Sequence, residues 1–153
     1  MPISLSPQIM RQIIMDHYDN PQYKHDPKTD IEKYHQIHMD STNCIDDINV
    51  YVKEENGIVT DCCFNGVACT ISTSSTDIMC GLMIGKSFES AKYIIDQYNN
   101  MIHEKEYDES VLDEAIVFMN TSKQAARIKC ATIGWDAMNE IINDCKCEHK
   151  HEK

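Results

Sequence analysis

The dipeptide Asn56-Gly57, flanked on both sides by alternating apolar and polar residues, most narrows what this chain can fold into. Asn-Gly is the preferred centre of a tight two-residue hairpin, because both turn positions require positive φ. Upstream, Ile48, Val50 and Val52 alternate with Asn49, Tyr51 and Lys53, the period of a strand with one buried face. Strands are therefore expected at Ile48–Glu55 and Ile58–Asn65, with a weaker one near Tyr34–Met39 completing an antiparallel meander.

Outside this stretch the apolar period changes to that of helices. A first helix is expected over residues 6–18, with Ser6 as N-cap, Pro7 at its first position and a stripe of Ile9, Met10, Ile13, Ile14 and His17. A polar connection follows Asn20-Pro21 and runs to about Glu32. A second helix is expected from Thr70 through Ile78, Met79, Leu82 and Met83 to a stop at Gly85. Ser87 reads as the N-cap of a third, striped by Ala91, Ile94, Ile95 and Tyr98. An acidic stretch, Glu104 to Glu114, and a short apolar piece, Val111–Met119, precede a last helix carrying Ile128, Ala131, Trp135, Met138 and Ile142. The expected class is α+β: a small three-stranded antiparallel sheet covered by helices.

At 153 residues this is one domain's length, enough to bury a core without staples. We expect the domain over residues 1–143 and a disordered Cys- and His-containing tail over 144–153. The eight cysteines are not read as a disulfide framework, since no segment resembles a signal peptide and no apolar run is long enough to span a membrane. A reducing cytoplasm is the expected compartment. The net charge of −11 argues against nucleic acid and against an anionic membrane surface, both of which need clustered Lys and Arg.

Candidate ligands fall at the boundaries between elements. Cys44 and Asp46 are two apart in an extended segment, so their side chains leave the backbone on one side and can share an ion. Cys69 lies directly ahead of a helix and Cys130 near the expected start of the last one, where positive helix ends favour thiolate. Three thiolates and a carboxylate form a four-ligand set that suits zinc, though iron or a cluster also fits it. Spacing alone leaves buried free cysteine as the blander alternative.

The segments Asp19-Asn20-Pro21, Asn43-Cys44-Ile45-Asp46, Phe64 to Ser72 and Arg127-Ile128-Lys129-Cys130-Ala131 stand in the order seen in the IscU/NifU family, which the chain resembles over about residues 4–143. The resemblance implies that Cys44, Asp46, Cys69 and Cys130 converge at one exposed end. Lys129, where IscU scaffolds carry histidine, and an extra stretch at roughly Glu104–Thr121 are similar to the SufU group. That likeness implies a zinc-dependent, sulfurtransferase-type activity. Cys44 would accept sulfur from a SufS-type cysteine desulfurase and pass it to a downstream iron–sulfur scaffold, and Arg127 would support pairing with the desulfurase. Ile45 stands where SufU proteins usually carry glycine, so a different local loop is expected around unchanged ligands. The runner-up reading is a scaffold holding a [2Fe–2S] cluster on the same four residues. A third is a zinc-stabilised binding module without transfer activity.

The remaining candidates are read as structural. Cys62 and Cys63 fall on opposite faces of a strand, so at most one is expected in the core. Cys80 is read as a small core residue and His17 as packing with a local hydrogen bond. Cys145, Cys147, His149 and His151 have metal-binding chemistry but no expected fold around them. Gly85-Lys86-Ser87 lacks the glycine spacing and the preceding strand of a phosphate loop, so nucleotide binding is rejected.

Overall fold

The computed structural model describes residues 6–41 and 45–151, with side chains described through residue 145. Four helices and three strands follow one another as α1 (Pro7–Asp19), β1 (His35–Asp40), β2 (Asp47–Glu55), β3 (Ile58–Val67), α2 (Thr70–Met83), α3 (Phe88–Ile102) and α4 (Ala125–His151), with short 3-10 turns at Ile31–Lys33 and between Glu109 and Lys123. This is the expected α+β architecture.

The sheet is an antiparallel meander in the order β1-β2-β3. Asn56 and Gly57 take φ of 55° and 79°, the doubly positive turn that the hairpin requires. The outer edge of β3 is covered by bridges from Lys24 to Phe64 and from Ser87 to Ile58, which blunts an otherwise unpaired strand. Helix α2 packs on β3, while α4 crosses β1 and β2. Ile48, Val50 and Val52 are fully buried beneath them.

The second sheet face is not simply solvated. Tyr34, Tyr51 and Cys63 form a small buried cluster of their own. The polar connection supplies the cover: Tyr34 donates to Asp61, and Asn65 Nδ2 donates to Asp26 at 2.7 Å. Cys62 and Cys63 do point to opposite faces, but both are buried, which corrects the expectation that at most one packs inside. Burial pushes the Cys63 thiol up to about 12.

Both side-chain caps fall where expected: Ser6 accepts from Ile9 N–H at 3.2 Å, and Ser87 from Ser90 N–H at 3.1 Å. Along α1, Met10 is buried, but Ile9 is 46% exposed and leaves the expected stripe. His17 bonds across the fold rather than locally, its Nδ1 to Asp77 Oδ2 at 2.6 Å and its Nε2 to Glu114 Oε1 at 3.1 Å. Helix α4 continues through residue 145, where Cys145 is buried in the main core. It falls in the stretch expected as a disordered tail, yet it lies three and four residues beyond Ile142 and Ile141, where helical spacing sets it on the apolar stripe.

Helix α2 is the centre of the molecule. Its polar run Ser72, Thr73, Ser74, Ser75, Thr76 and Asp77 is buried throughout, as are Ile78, Met79, Cys80 and Met83. Small side chains let neighbours approach closely: a Cβ on Gly134 of α4 would lie 2.4 Å from Thr76 Oγ1. That closeness holds the first half of α4 against the first half of α2.

Candidate metal centre

Three loose ends of the fold meet at the N-terminus of α2. Asp46 precedes β2 and is 2% exposed. Its carbonyl accepts from Ser41 N–H at 3.0 Å, tying together the flanks of the segment that holds residues 42–44. Its carboxylate reaches to α2, where Oδ1 accepts from Cys69 N–H at 2.9 Å and Oδ2 accepts from the Ser72 hydroxyl. Burial by itself would raise the Asp46 pKa. The hydrogen bonds from Ser72, the Cys69 N–H and the thiols of Cys130 and Cys69 outweigh it and hold the carboxyl below its usual range.

Cys69 is the N-cap of α2, with extended backbone at φ −71° and ψ 174°. Its Sγ lies 3.5 Å from Ser72 N and 3.3 Å from Ser72 Oγ. Cys69 reaches this position because β3 hugs β2 just before it: Gly66 has φ +112°, and a Cβ there would sit 2.2 Å from Asp47 O. Only glycine fits both constraints.

Cys130 comes from α4 and is buried, at 3% exposure. It is the sixth residue of that helix, not near its first turn, so the reach of the helix terminus, which fades within one turn, supports Cys69 and not Cys130. A polar network instead fixes Cys130 through its neighbour Ala131. The Ala131 carbonyl accepts from Ser75 Oγ at 2.6 Å and from Tyr98 OH at 2.7 Å. Trp135 Nε1 donates to Ser75 Oγ at 3.0 Å, and its ring stacks on Tyr98 at 3.8 Å between centroids. In the sequence Tyr98 and Trp135 signal only an apolar stripe, and Ser72 and Ser75 carry no signal beyond serines within a helix.

The ligand atoms of Asp46, Cys69 and Cys130 all lie within 4.8 Å of one another. Tetrahedral zinc with Zn–S near 2.3 Å and Zn–O near 2.1 Å holds such ligands about 3.6–3.8 Å apart, so a small contraction suits these three for one ion. Two thiols and a carboxylate are borderline-soft donors, which zinc and iron both accept. The fourth expected ligand, Cys44, lies outside the described residues. Ile45, beside it, is 64% exposed.

The other candidates are elsewhere. Arg127 is exposed in the first turn of α4, three residues before Cys130, and Lys129 is exposed beside it. Cys62 and Cys80 form a buried thiol pair, 3.3 Å between sulfurs, in the core behind α2. Burial, together with the Cys62 thiol, places the Cys80 pKa well above its usual range.

The sequence profile of the NifU-like N terminal domain matches residues 9–151. The chain is 36% identical over 135 residues to the zinc-dependent sulfurtransferase SufU of Bacillus subtilis, covering 88% of this chain and 89% of that one. It is 31% identical over 143 residues to the iron–sulfur cluster assembly scaffold protein IscU of Streptococcus pyogenes, covering 93% and 87%. Among solved structures, an iron–sulfur cluster assembly scaffold protein for the SUF system from Fervidobacterium islandicum superposes with a TM-score of 0.78 at 26% identity, covering 86% of this chain and 94% of that chain. A nitrogen-fixing NifU-like N-terminal domain from Brucella abortus, at 20% identity and a TM-score of 0.75, shares the fold. This chain belongs to the NifU-like N-terminal domain family.

Proposed function

We propose that this protein is a zinc-dependent sulfur acceptor in iron–sulfur cluster assembly. It takes sulfur from a SufS-type cysteine desulfurase through Cys44 and passes it to a downstream scaffold in the reducing cytoplasm. The observation that carries the reading is the meeting of Asp46, Cys69 and Cys130 within 4.8 Å, from three separate parts of the chain. Likeness to a relative named a zinc-dependent sulfurtransferase supports it. No helix among the described residues is long and apolar enough to cross a membrane, which agrees with a partner reached in solution.

Zinc, where bound by Cys44, Asp46, Cys69 and Cys130, supplies charge that keeps the sulfurs ionised. The chain's own residues do the rest. Asp46 is held beside Cys69 by the Cys69 N–H and Ser72, so its carboxylate is fixed near the thiols before an ion is bound. Cys44 is two residues away, within one loop's reach of the same point. Its thiolate attacks the outer sulfur of the desulfurase persulfide. The donor S–S bond breaks, the desulfurase cysteine leaves as thiolate, and the persulfide remains on Cys44, with no net change of oxidation state. Arg127, exposed in the first turn of α4, would pair with an acidic group on the partner.

The alternative is a [2Fe–2S] scaffold on the same residues, favoured by likeness to relatives named as assembly scaffolds. Metal analysis and a visible spectrum separate them: one zinc in a colourless protein supports the relay, and a brown protein with iron and sulfide supports the scaffold. Incubation with desulfurase and cysteine, followed by mass spectrometry, tests the acceptor. We expect one added sulfur on the peptide holding Cys44 and none in a Cys44→Ser variant. Sulfur arriving first on Cys62, Cys80 or Cys145 would exclude the proposal.

A further inference from the structure

At the end of α2 remote from Cys69, the structure opens a cleft of about 1000 Å³ between α1, α3 and the acidic stretch. Cys69 caps one end of α2 and Leu82 lies in its last turn, so the cleft is about 20 Å along the helix from the metal centre. The stretch between α3 and α4 runs in short 3-10 turns, and its Ile116 lines the cleft together with Ile13, Leu82 and Ile94. The lining is therefore apolar at its floor. Its lip is acidic: Glu89, Glu109 and Asp113 are exposed along it beside Glu114, which already bonds to His17, and Lys86 is the one lysine in the lining. Tyr93, 46% exposed, adds an aromatic surface at the same lip. Nothing in the sulfur relay uses any of these residues.

An apolar floor between rows of carboxylates fits a segment that offers an apolar stripe edged by positive charge. We propose that this cleft is a docking groove for a basic amphipathic peptide segment of a partner protein, engaged independently of the thiol end. Apolar side chains of the segment lie on Ile13, Leu82, Ile94 and Ile116, and its Lys or Arg residues pair with Glu89, Glu109 and Asp113. With a second contact at this distance, a partner stays attached while the metal end is handed from one protein to another.

The test uses the full-length protein and three fluorescein-labelled 14-residue peptides read by anisotropy. The first carries leucines at i, i+3, i+4 and i+7 with lysines between them; the second scrambles that sequence at equal composition; the third replaces its lysines with glutamates. We expect the first to bind about tenfold more tightly than either control. Reversing the lip with Glu89→Lys and Glu109→Lys together should weaken it about tenfold, since two attractions become two repulsions. Amide chemical shifts should move at residues 82–94 and 109–119 and stay unmoved around Cys69. Ile116→Asp should abolish binding, with circular dichroism checking that it folds; the exposed lip variant carries the test if it does not. Equal binding of the scrambled peptide, shifts centred on the metal end, or no saturation by about 1 mM peptide would overturn the proposal.

Discussion

Ser72 donates its hydroxyl proton to Asp46 Oδ2 while its backbone N–H is directed at Cys69 Sγ, 3.5 Å away. One residue thus holds two metal-ligand candidates from different elements, and its single hydroxyl proton is committed to the carboxylate. Ser72→Ala should weaken zinc binding about tenfold, at the lower end of what loss of an outer partner costs. Competition with a chromophoric chelator measures it. Unchanged affinity would mean that Asp46 is oriented by the Cys69 N–H alone.

Gly134 sets the approach of α4 to α2 and, with it, the approach of Cys130 to Cys69. A Cβ there meets Thr76 Oγ1 at 2.4 Å, Cγ2 at 2.8 Å and Cβ at 2.9 Å, so no single rotamer of Thr76 relieves it. Gly134→Ala should gain slightly in helix propensity and lose more to overpacking, a net destabilisation of about 1–3 kcal/mol. Urea unfolding of the metal-free protein is the measurement. The paired variant Gly134→Ala with Thr76→Ser, which removes the methyl, should recover part of the loss.

His17 faces Asp77 from α2 and Glu114 from the turn after Leu112, one carboxylate at each ring nitrogen. Desolvation pulls its pKa down, but the hydrogen bonds to Asp77 and Glu114, with their charge, outweigh it and leave the pKa raised. The group is therefore more readily protonated folded than unfolded, where 6.5 is its ordinary value. Its contribution to stability is complete below that value and is lost as pH rises through the higher folded pKa. His17→Gln should flatten this part of the stability profile and loosen the 113–118 turn. Denaturation midpoints from pH 5 to 9 would show it, and an unchanged slope would exclude the clamp.

The hairpin was legible because Asn56-Gly57 acts through local backbone chemistry, and the helix caps at Ser6 and Ser87 were legible for the same reason. Burial of Tyr51 and Cys63 was not, because their cover comes from the polar connection, more than a dozen residues distant in the chain. The run Ser72 to Asp77 looks like a helix's wet face, yet it is buried throughout; the hydroxyls of Ser72, Thr73, Ser74 and Ser75 find partners such as the Ala131 carbonyl, whereas Thr76 Oγ1 is buried without one among the described residues. The candidate metal centre was only half legible. Asp46, Cys69 and Cys130 are far apart in sequence, and spacing carried no proof of convergence; likeness to known motifs suggested it, and close packing at Gly66 and Gly134 produces it.

Thiol reactivity offers a check on this division between core and site cysteines. Burial pushes Cys63 up to about 12 and Cys80 well above its usual range, and Cys62 is fully buried against Cys80. At pH 8 in native buffer, iodoacetamide should leave Cys62, Cys63 and Cys80 unmodified while it reacts with Cys69 in chelator-treated protein. Peptide mapping reads the outcome. Rapid native labelling of Cys80 would show that the core opens far more often than its packing implies.

Asp46 is the one oxygen ligand expected in the set, and replacing it with cysteine tests whether a carboxylate is there for its chemistry or its hydrogen bonds. A thiolate is the softer donor for zinc, so Asp46→Cys should bind the metal more tightly than the natural chain. The same change removes the acceptor for both the Cys69 N–H and the Ser72 hydroxyl, and Asp46 is only 2% exposed, so water does not readily replace it. Two donors left without a good acceptor cost about 1–3 kcal/mol each in the metal-free state. The variant should therefore be less stable than the natural protein when stripped of metal and closer to it, or above it, when loaded. Its sulfur transfer should slow, because tighter binding holds Cys44 back from the incoming persulfide. Thermal melts with and without zinc, beside a desulfurase stimulation assay, separate the two effects. Faster transfer with tighter zinc would show that lability at Asp46 does not set the rate.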